Sequence, residues 1–134
     1  MSVHVDFPWR EEPAVLVLAF RSASLAQVYV PAVVFPLFRN SVIAPEVAAD
    51  LLALTGSRRH PNGGISARIA TQGEEMGRLT FRIARHANLV RLEHGRARSQ
   101  ILLGFDFLNL FRETRLRFDG ANAHLTLDTT TSAG

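Results

Sequence analysis

The sequence predicts a mostly β domain with two short helices, and three observations predict it. Short apolar or alternating stretches recur along the chain, each bounded by Pro, Gly, Asn, Asp or Ser. Only Ala44–Leu54 carries apolar residues at helical spacing over several turns. At 134 residues, 47% hydrophobic and 20% charged, the chain can bury one real core and is not of disordered composition.

Residues 1–13 read as an N-terminal extension, 14–128 as one domain and 129–134 as a flexible tail. After Pro13, Ala14–Phe20 (AVLVLAF) is a near-continuous apolar strand, and Ser22-Ala23-Ser24 is a turn. Leu25–Phe35 reads as a second strand, with Pro31 inside it marking a bend, a bulge or an edge. Ala44–Leu54 is the clearest helix. Pro45 suits its first position, Glu46 favours the N-terminal dipole, and Gly56 stops it. Its buried stripe is Val47, Leu51 and Leu54, helped by Ala48.

Ser57–Gly64 is an exposed loop by its turn residues. Ile65–Thr71 and Arg78–Ala84 flank residues 72–77 as a long hairpin. Asn88–Glu93 is a further strand, His94–Arg98 a basic turn and Ser99–Leu103 a short apolar strand. Gly104 breaks that strand. Asp106 can accept backbone N–H bonds at the start of a short helix, near 106–111. Leu116 and Phe118 alternate with Arg115 and Arg117, Asp119-Gly120 supplies a tight turn, and Leu125 and Leu127 alternate on the way back. Most of the Phe residues occupy apolar periodic positions and read as core.

Composition excludes several classes. With no Cys there is no disulfide framework and no thiolate metal site. No apolar run reaches the ~18–20 residues of a membrane span. The N-terminus lacks an apolar signal core, so cytoplasmic residence is the expectation. The five His are scattered, without metal-ligand spacing, and no cofactor is expected. His60-Pro61-Asn62-Gly63-Gly64 lacks the Lys and the strand-to-helix context of a phosphate loop, and Ser41 lacks a nucleophile elbow. All fifteen basic residues are Arg, and residues 57–117 hold twelve of them against five acids. Their strand-like spacing in pairs such as Arg78/Arg82, Arg96/Arg98 and Arg115/Arg117 favours a solvated face over a nucleic-acid surface.

The run Ile101–Leu127, with Leu103, Gly104, Asp106 and Leu108 in order ahead of the hairpin, resembles the end of retropepsin-like (retroviral-type) aspartic proteases. Those chains close with an I-L-G-x-D-x-L strand–helix signature and a terminal hairpin. The resemblance spans roughly Ala14–Leu127 and implies a small antiparallel β-barrel. It also implies that a hairpin tip at Gln72, Gly73, Glu74, Glu75 and Met76 serves as a flap over bound peptide.

The family's catalytic Asp-Thr-Gly-Ala turn aligns with Phe35, Pro36, Leu37 and Phe38, flanked by Val33-Val34 and by Ser41-Val42-Ile43. Aspartic proteases need two carboxylates sharing one proton, one from each subunit of a symmetric dimer when the chain carries a single motif. Phe35 can neither hold that proton nor polarise water. The resemblance therefore implies a non-catalytic homodimer, with no catalytic residue, that binds a peptide or protein and has 35–38 at its centre. Two alternatives stand beside it. One is an active endopeptidase using Asp6, Asp50, Asp106, Asp119 or Asp128; the other is a nucleic-acid-associated protein using the Arg-rich half.

Overall fold

The computed structural model describes residues 2–21, 27–34, 36–55, 63–84, 92–94, 97–99 and 101–129. In chain order the elements are β1 (Ser2–Phe7), β2 (Val15–Arg21), β3 (Gln27–Val34), β4 (Val42–Ile43), α1 (Pro45–Thr55), β5 (Gly64–Thr71), β6 (Glu74–Ile83), β7 (Leu92–His94), β8 (Ala97–Ser99), β9 (Ile101–Leu103), α2 (Phe105–Leu108), β10 (Glu113–Asp119) and β11 (Asn122–Asp128).

Alternation decides which residues make the core. Leu16, Leu18 and Phe20 of β2 are buried, as are Val30 and Ala32 of β3, while Val17 and Tyr29 point outward. The two strands pair antiparallel from Val15↔Val33 to Arg21↔Gln27. Burying each Leu or Phe is worth about 1.5–3 kcal/mol. Pro31 lies one residue before the ladder that β3 makes with β9, so it stands at an edge of that pairing.

β5 and β6 form the second long hairpin, with Ile65, Ala67, Ile69, Leu79 and Phe81 inward. The connection is shorter than expected. Gln72 and Gly73 both have positive φ, 51° and 77°, which is a two-residue turn of the kind that matches strand twist. Residues 74–77 are consequently strand, and Met76 is buried.

The two hairpins close through two short strands. β4 runs parallel to β6 and antiparallel to β9, and β9 runs parallel to β3. The order β2-β3-β9-β4-β6-β5 returns on itself where Ala19 and Phe20 meet Ala70 and Ile69. The barrel is thus mixed: its long pairings are antiparallel and its crossings at β4 and β9 include parallel ones.

Ser99–Leu103, expected as one strand, divides by partner. β8 pairs with β7, and β9 enters the barrel. Of the expected strand Asn88–Glu93, residues 88–91 lie outside the described residues, as do the turn at 22–24, the tail beyond 129 and residues 57–62 of the expected loop Ser57–Gly64, whose last residue is buried and begins β5.

α1 starts at Pro45 and buries Val47, Ala48 and Leu51; the side chain of Leu54 lies outside the described residues. α2 is only four residues, after which the chain tightens into i→i+3 bonds from Leu110 N–H to the Phe107 carbonyl and from Phe111 N–H to that of Leu108. No helix among the described residues is long and apolar enough to cross a membrane.

Within the stretch expected as an N-terminal extension, Ser2–Phe7 pair along their whole length with β11, from Ser2↔Asp128 to Phe7↔Ala123. The resulting sheet has the order β1-β11-β10. Val3, Ala123, Leu125 and Leu127 are buried, whereas every residue of β10 is exposed.

Candidate functional site

The segment after β3 is held by the start of α2. Phe105 N–H donates to the Phe38 carbonyl (2.7 Å), and Asp106 N–H to that of Arg39 (3.1 Å). The Asp106 carboxylate accepts from Ser41 N–H (2.9 and 3.0 Å), from the Ser41 hydroxyl (2.6 Å) and from Phe107 N–H (2.7 Å). Ser41 is fully buried, and its Oγ in turn accepts from Gly104 N–H (2.9 Å). Its carbonyl accepts from Arg82 N–H (2.9 Å), which fastens the segment to β6.

Gly104 is where backbone meets backbone. A Cβ there would lie 2.6 Å from the Phe38 carbonyl oxygen and 2.9 Å from the Asn40 carbonyl carbon, inside any real contact distance. The Leu103, Gly104, Asp106, Leu108 motif is therefore the clamp on the 36–41 turn: Gly104 permits the approach and Asp106 fixes it. Leu103 is buried as the last residue of β9, and Leu108 is half-buried.

What the clamp presents is apolar. Leu37 is 84% exposed, Phe38 40% and Phe105 53%. Pro36 is exposed beside them, and Phe35 lies outside the described residues. Most Phe residues were expected in the core, and Phe105 and Phe118 are exposed instead. Periodicity says which side of the chain a Phe takes, not whether anything covers that side.

Asp106 is the acid bonded into this site, and all its hydrogen-bond donors are uncharged groups of its own chain. Asp6 and Asp119 instead flank His124, at 2.6 and 3.8 Å, on the terminal sheet. Asp50 lies exposed on α1, and the Asp128 carbonyl takes Arg112 N–H. Among the described residues no group of three His, Asp or Glu side chains could hold a metal ion.

A cleft of about 750 Å³ opens beside the turn, lined by Asn40, Asp106, Gly63, Gly64 and residues 79–83 of β6. The hairpin tip expected as a flap does not reach it. β6 meets the turn at Arg82, whose N–H donates to the Ser41 carbonyl, and Glu74 begins the strand at its other end. Eight residues at about 3.3 Å each put Glu74 roughly 26 Å along the strand from Arg82. There Gln72 is bound to β1, its amide nitrogen donating to the His4 carbonyl (2.7 Å) and its oxygen accepting from His4 N–H (3.3 Å). The Thr71 hydroxyl donates to the Val17 carbonyl (2.9 Å). Gln72, Gly73 and Glu75 line a separate groove of about 570 Å³ with Val17, Ala19 and Tyr29. Glu74 is half-buried, and Glu75 stands 4.0 Å from Arg68.

Phe105 and Asn40 were not expected at the site, and Ser41 was expected there only as a flank of the turn, without the elbow of a nucleophile. The signal for Ser41 was its fixed place ahead of Val42-Ile43, in a chain with a Gly-x-Asp after its last barrel strand.

A solved structure similar to this chain is a retropepsin-like aspartic protease from Rickettsia conorii, with a TM-score of 0.55 and 15% sequence identity over 95% of this chain and 91% of that one. The fold is retropepsin-like. No family model matches the sequence, and no curated protein matches it. In this retropepsin-like barrel the 36–41 turn sits between β3 and β4, clamped by the residues that follow β9.

Proposed function

We propose that this chain is a non-catalytic retropepsin-like domain acting as a homodimeric interaction module, with residues 35–38 at the two-fold axis and a peptide or protein segment as ligand. The observation that carries the reading is the exposed apolar cluster of Leu37, Phe38 and Phe105 on a rigidly clamped turn. Clustered large apolar side chains on a fixed surface are an aggregation hazard unless something covers them. A two-fold contact covers each of them twice. At about 1.5–3 kcal/mol for each fully buried side chain, two copies of a half-exposed trio contribute on the order of 5–9 kcal/mol, comparable with the cost of association.

The chemistry agrees with the packing. Phe35-Pro36-Leu37 stands in the sequence where a D-T-G turn would supply the carboxylate. Asp106 is engaged by three donors of its own chain and braces the turn. The purified protein is expected to cleave no peptide between about pH 3 and 7, the range over which carboxylate pairs work, and not to bind pepstatin-type inhibitors. Cleavage that disappears on changing any one Asp to Asn would overturn the non-catalytic reading. Sedimentation at micromolar concentration tests the other half: wild type is expected to be a dimer and Leu37→Asp a monomer. A wild-type monomer would remove the dimeric module.

A further inference from the structure

The outer face of the β5–β6 hairpin sets like charges directly against each other. Arg68 pairs in register with Arg78, and both are exposed. Residues opposite one another on antiparallel strands point to the same side, and like charges so placed oppose the pairing. Two residues along, at about 7 Å, the next outward pair is Ser66 and Thr80, whose hydroxyl oxygens lie 2.6 Å apart. Beyond it Arg82, also exposed, pairs with Gly64 and has no side chain opposite. Strand spacing puts Arg78 and Arg82 on one face; only the register brings Arg68 to it.

The strip holds three positive charges against one negative. Glu75 stands 4.0 Å from Arg68 at one end, with side chains 55% and 70% exposed, so this ion pair contributes little. Arg78 and Arg82 have no ion-pair partner among the described residues. Asp106 lines the cleft that Arg82 also lines, but its carboxylate is engaged by Ser41 and Phe107. The fold gains nothing from opposing Arg68 to Arg78; an anionic ligand does.

We propose that this strip binds an extended acidic peptide segment, with Asp or Glu at positions i and i+4 meeting the Arg68–Arg78 pair and Arg82. Arg78 and Arg82 stand about 13 Å apart along β6, the distance between the first and fifth residues of any other extended chain. A segment laid along β6 turns alternate side chains toward it. These meet the Arg pair, the hydroxyl pair and Arg82 in turn. Carboxylates suit guanidinium groups because two parallel N–H bonds fix both energy and geometry. No aromatic side chain lies on the strip, so it lacks the stacking platform of a single-strand nucleic-acid surface. It also carries no exposed large apolar side chain that could enter a membrane. The strip is separate from the 36–41 turn, and the proposal stands whether or not two copies meet there.

A nitrogen–proton NMR titration of the full chain tests it, with a Gly/Ser decapeptide carrying glutamates at its fourth and eighth positions as the probe. The amides of Arg68, Arg78, Thr80 and Arg82 are expected to shift together. Arg78→Thr and Arg82→Thr should each weaken binding roughly three- to tenfold. Arg112→Thr removes the same charge elsewhere on the surface and should change binding by less than about twofold. Arg78→Thr is also expected to melt no lower than wild type, because it relieves the like-charge pair. Leu37→Asp should bind the peptide as wild type does. No shifts at millimolar peptide would overturn the site, and so would an equal loss with Arg112→Thr, which reduces binding to net charge. An Arg78→Thr variant that melts lower yet binds normally would assign Arg78 to the fold instead. Tighter binding of an oligothymidylate of equal charge would make the strip a nucleic-acid surface and sink the peptide. Binding lost in Leu37→Asp would move the peptide to the turn and overturn the strip while leaving the earlier reading intact.

Discussion

Replacing Ser41 by Ala removes a single, fully buried oxygen from the clamp. The hydroxyl is fully buried, donates to the Asp106 carboxylate at 2.6 Å and accepts from Gly104 N–H at 2.9 Å. The first bond is to a charged group and is worth about 1.5–3 kcal/mol; the second leaves a buried N–H without a partner, at about 1–3 kcal/mol. The two overlap, because the carboxylate keeps Ser41 N–H and Phe107 N–H. A loss of about 3–4 kcal/mol is therefore expected, a large share of the ~5–15 kcal/mol stability of an ordinary domain. Equilibrium unfolding in urea measures it, with the slope against denaturant unchanged. Hydrogen exchange supplies the local readout, since the Gly104 amide should lose protection more than that of Leu18. Ser41→Thr keeps the hydroxyl and should recover most of the bond, less the strain of one added methyl. A loss below about 1 kcal/mol with Gly104 still protected would refute the clamp as the support of the turn.

Gly104→Ala pushes a methyl into the Phe38 carbonyl and should cost about 1–3 kcal/mol, read as a fall in melting temperature. Gln72→Ala cuts both bonds to His4 and should speed exchange at the His4 amide, with a global loss of about 0.5–1.5 kcal/mol at most; an unchanged His4 rate would show that β1 does not need the tether. Asp6→Asn removes an exposed partner of His124 and should shift stability by less than about 1 kcal/mol at pH 7 and low salt, since exposed ion pairs are worth little.

Much of this architecture was written in local pattern. Pro45, Glu46 and the Val47–Leu51 stripe specify α1 because capping and amphipathic spacing act within a few residues. Gly104 and Asp106 were legible only in part, as a strand break and a helix-start acceptor; their hold on Phe38 and Ser41 joins segments more than sixty residues apart. What escaped was set by distance along the chain. Val3, Val5 and Phe7 alternate as a strand should, but their partner lies at the other end of the sequence. Ser99–Leu103 looks uniform, and only the change of neighbour from β7 to β3 divides it. The hairpin at 72–73 was recognisable as a hairpin, yet nothing in Gln-Gly says at which end of a barrel it sits. Leu116 and Phe118 showed their face and not their exposure, because exposure depends on what lies beyond the edge strand.

The closure of β1 on β11 also sets a timetable for synthesis. Asp6 and His124, which bond across this pair, are 118 residues apart. At about 5–20 residues per second, a ribosome makes β1 roughly 6–24 s before its partner strand exists. Through that interval Val3, fully buried in the finished fold, is in water, and the edge that β11 will occupy is open to any other strand in reach. His4 can bind Gln72 well before β11 arrives. That side chain is a holding point for the first strand while the last is still being made.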